Sequence, residues 1–212
     1  MKIAFSYDIG KDAENFIKSA QSANNPKPTK LQEIYIAEQG ENLDPAKVKS
    51  FLKKYVQENK IDVNMAVSEI DKKWQYVEHE FIRRTENVFG RYPADIHAYL
   101  STNSRCTYNI EQNYFFVFVT SKNPNALIMH ELLHFYTWRR LHDELIKKGI
   151  SSEKYNNIKE SLTELLNLEY KDLMEGYEDK GYSQHKKMRE LVREIWAQNK
   201  DLDHLITELI AD

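Results

Sequence analysis

Residues 125–139 constrain this chain more than any other stretch. They contain Ala126, Leu127, Ile128, Met129, Leu132, Leu133, Phe135, Tyr136 and Trp138. At about 100° per residue these side chains surround a helix axis on nearly every side. Such a helix has no face to turn to water, so the rest of the chain must enclose it. Asn123 and Pro124 precede it as a cap and a proline in the first turn. Three polar residues, His130, Glu131 and His134, nevertheless stand in its middle. Left buried without partners, each would cost about 1–3 kcal/mol.

A metal ion removes that cost. Two imidazoles four residues apart project from one helix face about one turn from each other, a separation from which both can bind one Zn²⁺. Glu131 lies about 100° round the helix, beside the metal. From there it can take a proton from a metal-activated water and pass it to a leaving amine. With 7 His in 212 residues, His-Glu-x-x-His arises in roughly 2% of shuffled chains, so the bare motif is only suggestive. The burying context adds weight, because a metal satisfies both imidazoles and draws the glutamate into its hydrogen-bonded shell. The plain alternative is a pair of core histidines bonded to backbone.

A catalytic zinc takes three protein ligands. Thr137 and Arg140 occupy the positions where metzincins carry Gly and a third His, which excludes that sub-family. Farther along, residues 159–167 give a helix with Glu160, Thr163, Glu164 and Asn167 on one face and Leu162, Leu165 and Leu166 on the other. An ordinary solvated face would look the same.

With these residues the sequence resembles the gluzincin group of zinc metallopeptidases, in which His-Glu-x-x-His is followed on a later helix by a pattern like Asn-Glu-x-x-Ser-Asp. The resemblance spans residues 114–167, with 25 residues between His134 and Glu160. Residues 1–90 take no part in it. It implies His130, His134 and Glu160 as ligands of Zn²⁺, Glu131 as general base, Thr163 at the hydroxyl position and Glu164 as the acid that orients His130. Lys159, Thr163 and Glu164 replace the group's Asn, Ser and Asp, which leaves Glu160 and Glu164 open to exchange. The resemblance also implies a zincin-like fold and a peptide or protein substrate added to an edge strand, here 114–120, beside the active-site helix. A downstream His or Tyr would hold the oxyanion. Tyr182 and His185 are the candidates, with ordinary surface residues as the alternative, and His185 is also a rival third ligand. His79, His97, His142 and His204 have no partner at ligand spacing.

The remaining chain reads as α+β. Only 6 Gly and 5 Pro occur, which disfavours a turn-rich all-β fold. Strands are expected at 2–9, 31–37, 95–101 and 114–120. Helices are expected at 12–23, from Asp44-Pro45 to about Asn59, at 63–89 and, after residue 121, at 125–140, 152–175, 184–198 and 202–210. Asn24-Asn25-Pro26-Lys27-Pro28 reads as a surface loop. The expectation is one helix-dominated zincin-like domain over 1–212, with a small mixed sheet in 1–120 packed on the active-site helix and a helical metal-bearing part in 121–212.

A formal charge of −3 with both signs interspersed argues against a nucleic-acid partner. The lone Cys106 suits a reducing compartment and a buried apolar role. No run of 18 apolar residues occurs, so a cytoplasmic protein with no membrane partner is expected. Glu131 and His134 also form the Glu-x-x-His of di-iron bundles, but no second copy exists. The competing functional reading is a catalytically silent zincin-like module that binds metal or a protein partner.

Overall fold

The computed structural model describes residues 1–22 and 27–211. Most of the expected loop at 24–28 lies outside them. The described residues are α+β and dominated by helix, with one small mixed sheet. They form two compact units: Met1–Trp74 with Ala94–Pro124, and Gln75–Pro93 with the chain from Asn125 onward.

The first unit carries the sheet. Strands β1 (Ile3–Ser6), β2 (Ile96–Ser101) and β4 (Tyr114–Phe118) run parallel, and the two-residue β3 (Tyr108–Asn109) closes one edge antiparallel, in the order β1-β2-β4-β3. Parallel strands are shielded on both faces, and β4, read as apolar on both faces, is buried from Tyr114 to Val117. Helix α1 (Ile9–Ala20) packs on β2 and on α3 (Pro45–Glu58). With α2 (Lys30–Gln39) these helices enclose Phe16, Tyr35, Val48, Phe51 and Leu52. Phe16 and Phe51 each meet Tyr35 edge-on, at 5.4 and 5.2 Å between ring centroids, the arrangement aromatic quadrupoles favour. Asp12 of α1 is fully buried and accepts from Ser101 Oγ at 2.7 Å, Thr102 N at 3.0 Å and Thr102 Oγ1 at 2.7 Å, which ties the helix to the end of β2.

Residues 31–37, expected as a strand, are helical. Thr29 opens α2 with a reciprocal cap: its Oγ1 accepts from Gln32 N at 3.3 Å and its N–H donates to Gln32 Oε1 at 2.8 Å. That capping box fixes a helix start, and Tyr35 and Leu31 then share the buried face.

The expected helix over 63–89 is two helices, α4 (Val63–Gln75) and α5 (Glu78–Phe89). The break lies at Tyr76 and Val77, one exposed and the other buried, where the chain passes from the first unit to the second. The second unit continues with α6 (Pro124–Lys147), α7 (Ser152–Ser161), α8 (Glu164–Glu169), a 3-10 turn at Ser183–His185, α9 (Lys186–Gln198) and α10 (Leu202–Ala211). The expected helix at 152–175 is therefore also divided, and it stops at Glu169. Within this unit α5 meets the segment after α8: Phe81 packs on Tyr170 with centroids 5.1 Å apart, and Arg84 pairs with Asp172 at 2.7 Å. Among the described residues no helix is long and apolar enough to cross a membrane.

Candidate metal centre

Helix α6 is longer than its apolar core implied. Leu141 and Leu145 stay buried and carry the stripe past Arg140, and Gly149, at φ 83°, turns the chain while Ile150 N caps Leu145 O at 3.0 Å. Only glycine takes that φ without strain. Ile128, Met129, Leu132, Leu133, Phe135 and Tyr136 are all buried, as are Glu131 and His134. From Pro124 to Trp138 no residue of the helix is exposed, as the sequence of that stretch requires.

His130 and His134 face each other with their Nε2 atoms 3.1 Å apart. Helix α7 brings Glu160 to them, with Oε2 3.7 Å from His134 Nε2. Among the described residues, the ligand atoms of His130, His134 and Glu160 form a group lying within 4.8 Å of one another. A tetrahedral zinc with N and O ligands near 2.0–2.1 Å spaces its donors about 3.3 Å apart, so the group needs only small side-chain adjustments. Glu131 supplies a second test. Its Oε2 is buried with no hydrogen-bond partner, the state in which a carboxylate awaits a polar group delivered to the site. The donor set therefore fits a zinc ion.

The remaining contacts set the protonation of these groups. His130 Nδ1–H donates to Asp179 Oδ2 at 2.6 Å, a carboxylate–imidazole contact that leaves Nε2 facing the other donors. Burial opposes the charged ring, but the hydrogen bond and charge of Asp179 hold His130 above its usual pKa. His134 is driven well below its usual value by burial, aided by the positive charges of Lys159 and His130, so its ring is neutral and able to ligate. Burial pushes Glu131 up to about 7, with Glu160 adding to the rise and His130 opposing it. Asp179 stays low despite burial, because His130 and Arg189 favour its charged form.

Asp179 is the residue the sequence did not disclose. It lies in the segment between α8 and the 3-10 turn and is held from several sides. Its N–H donates to Asn167 Oδ1 at 2.8 Å, Asn167 Nδ2 donates back to its carbonyl at 2.8 Å, and Gly181 N donates to its Oδ1 at 3.0 Å. The buried Arg189 of α9 pairs with Asp179 Oδ1 at 3.0 Å and with Glu164 Oε2 at 2.8 Å, and donates to Thr163 Oγ1 at 2.5 Å. A Cβ on Gly181, at φ 56°, would lie 2.7 Å from Arg189 Nη1. The positive φ and the close guanidinium both favour glycine there.

Glu164 does not fill the role expected of it. Asp179 orients His130, while Glu164 is held by Arg189 and by Arg193, whose Nη2 lies 2.5 Å from Glu164 Oε1. Two guanidiniums hold that carboxylate more strongly than a neutral imidazole could. Thr163, the expected hydroxyl position, belongs to the same network. Lys159, which stands where the gluzincin pattern has Asn, is buried with its Nζ 2.7 Å from Glu160 Oε1.

His185 is buried on the 3-10 turn, which packs on α7. Its pKa is lowered by burial and raised in part by the charge of Glu160, so it stands within electrostatic reach of the candidate ligands. Tyr182 is 46% exposed and meets the His185 ring edge-on at 6.1 Å. Compared with family models, with curated proteins and with solved structures, the chain matches none.

Proposed function

We propose that this protein is a zinc-dependent metallopeptidase of zincin-like type, in which His130, His134 and Glu160 hold the metal. The observation that carries the reading is the convergence of these three donors beside the buried, unpartnered Glu131 Oε2. Zinc bound there would supply a Lewis acid and lower the pKa of water toward neutrality. The chain supplies the rest. Glu131, unpartnered and in a desolvated position, accepts a proton from the attacking water and returns it to the leaving amine. Asp179 fixes the ring plane and tautomer of His130. His185, buried on the turn that packs on α7 and with Tyr182 against it, is the residue we assign to meet charge developing on a peptide carbonyl.

The Lys159–Glu160 ion pair favours a second reading, in which an ammonium satisfies the third donor and the site carries no chemistry. Metal analysis of protein purified without chelator or histidine tag separates the two. About one zinc per chain supports the peptidase reading, and no uptake of zinc at neutral pH removes it. Glu131→Gln is then expected to keep the metal and lower peptide hydrolysis by about 10²- to 10⁴-fold. Unchanged turnover would remove Glu131 from the mechanism.

A further inference from the structure

The Lys159 side chain lies where the proposed metal site has least use for a cation. It is 3% exposed, its Nζ is 2.7 Å from Glu160 Oε1, and its charge is felt by both Glu131 and His134. Glu160 Oε2 is the oxygen turned to the histidines, 3.7 Å from His134 Nε2. The two oxygens of one carboxylate are thus divided between an ammonium and the imidazoles.

We infer that Lys159 is a positioning residue that makes Glu160 a one-oxygen ligand, holding Oε1 so that only Oε2 is presented toward His130 and His134. This rests on the metal reading above. A carboxylate is free to bind a metal through one oxygen or two, and two-oxygen binding would fill the position a substrate or water needs on a catalytic ion. An ammonium hydrogen-bonded to Oε1 removes that choice. It also sets a fixed positive charge beside the metal, which weakens the hold of the three ligands and leaves the ion a stronger Lewis acid. Lys159 therefore trades metal affinity for an open, electron-poor site.

The sign of that trade is the test. A lysine that merely supports α7 would, on replacement, loosen the helix and weaken metal binding. Under the inference, Lys159→Met is expected to tighten zinc binding by about tenfold or more, because the repelling charge is gone, while peptide hydrolysis falls. Zinc affinity is read by competition with a chromophoric chelator. Weaker or unchanged binding in Lys159→Met would overturn the inference.

Infrared difference spectra of the wild-type protein, zinc-loaded minus zinc-free with ¹³C-labelled glutamate, give a second readout that needs no variant. Carboxylate stretches widely split, as for one-oxygen coordination, are expected. A narrow splitting, as for two-oxygen coordination, would overturn the inference while leaving the metal reading intact. Failure of the wild-type protein to take up zinc would remove the metal reading itself and this inference with it.

Discussion

Replacing Asp179 with Asn perturbs the His130 ring through one atom. The wild-type carboxylate meets His130 Nδ1–H with Oδ2 at 2.6 Å while Oδ1 accepts from Gly181 N at 3.0 Å and pairs with Arg189 at 3.0 Å. An amide has one oxygen, so in either orientation its NH₂ faces a donor. If the oxygen stays with His130, the NH₂ meets Arg189 and Gly181; if it turns, His130 loses its acceptor. A hydrogen bond to a charged group contributes about 1.5–3 kcal/mol, and Arg189 is not stranded because Glu164 remains 2.8 Å away. Zinc-free Asp179→Asn should therefore unfold about 2 kcal/mol more easily in urea. Loss of a carboxylate behind a metal-ligating histidine costs about 10- to 100-fold in affinity, or about 1.4–2.7 kcal/mol. The assay is zinc competition against a chromophoric chelator, run beside Glu164→Gln. Unchanged affinity in Asp179→Asn together with a tenfold loss in Glu164→Gln would refute the geometry and return the orienting role to Glu164.

Three other outcomes follow from the same contacts. Glu160→Ala should abolish stoichiometric zinc binding by elemental analysis, since two histidines alone leave the ion short of its third protein ligand; retention of one zinc per chain would pass the ligand role to another residue. Gly181→Ala should destabilise the fold by about 1–3 kcal/mol in urea, because alanine must adopt a positive φ and displace the Arg189 guanidinium; an unchanged midpoint would show that the loop relaxes freely. Asp12 gives a pH dependence, since burial raises its folded-state pKa above the ordinary 3.8 despite the Ser101 and Thr102 hydrogen bonds. Its carboxylate thus binds protons more readily folded than unfolded, and stability relative to Asp12→Asn should rise as pH falls through the folded value toward 3.8. A difference that is flat or falls over that window would contradict the sign.

What the sequence disclosed depended on how local the determinant was. Helix α6 and its His130-Glu131-His134 face follow from periodicity within fifteen residues, whereas Glu160 came only from the resemblance to gluzincins, which left it open to exchange with Glu164. Helix α2 was misread because Leu31, Ile34 and Ile36 suit either period, although Thr29 and Gln32 carried the capping signal that decides it. The break at Tyr76 was invisible for a different reason: Trp74, Val77 and Phe81 keep helical spacing across it, so apolar phase alone cannot register the interruption. Asp179 is 49 residues from His130 in the chain. Nothing about an aspartate in a polar loop marks it as an imidazole's partner until α8 and α9 bring Asn167 and Arg189 to it. The two arginines on Glu164 are likewise a product of packing, and they redirected a residue whose spacing alone fitted the metal face.

Chain order gives the division into two units a consequence for synthesis. Every residue of the sheet-bearing unit has been synthesised once position 124 is made, before any candidate ligand exists. Helix α5 belongs to the other unit but is made early, and its partners Tyr170 and Asp172 emerge more than eighty residues later. A growing chain can therefore settle its parallel strands while α5 waits, and the candidate donors arrive in the sequence 130, 134, 160 with Asp179 last. Capture of an ion would then be a late event, after the strand pairing that is slowest and most exposed to misassembly is finished.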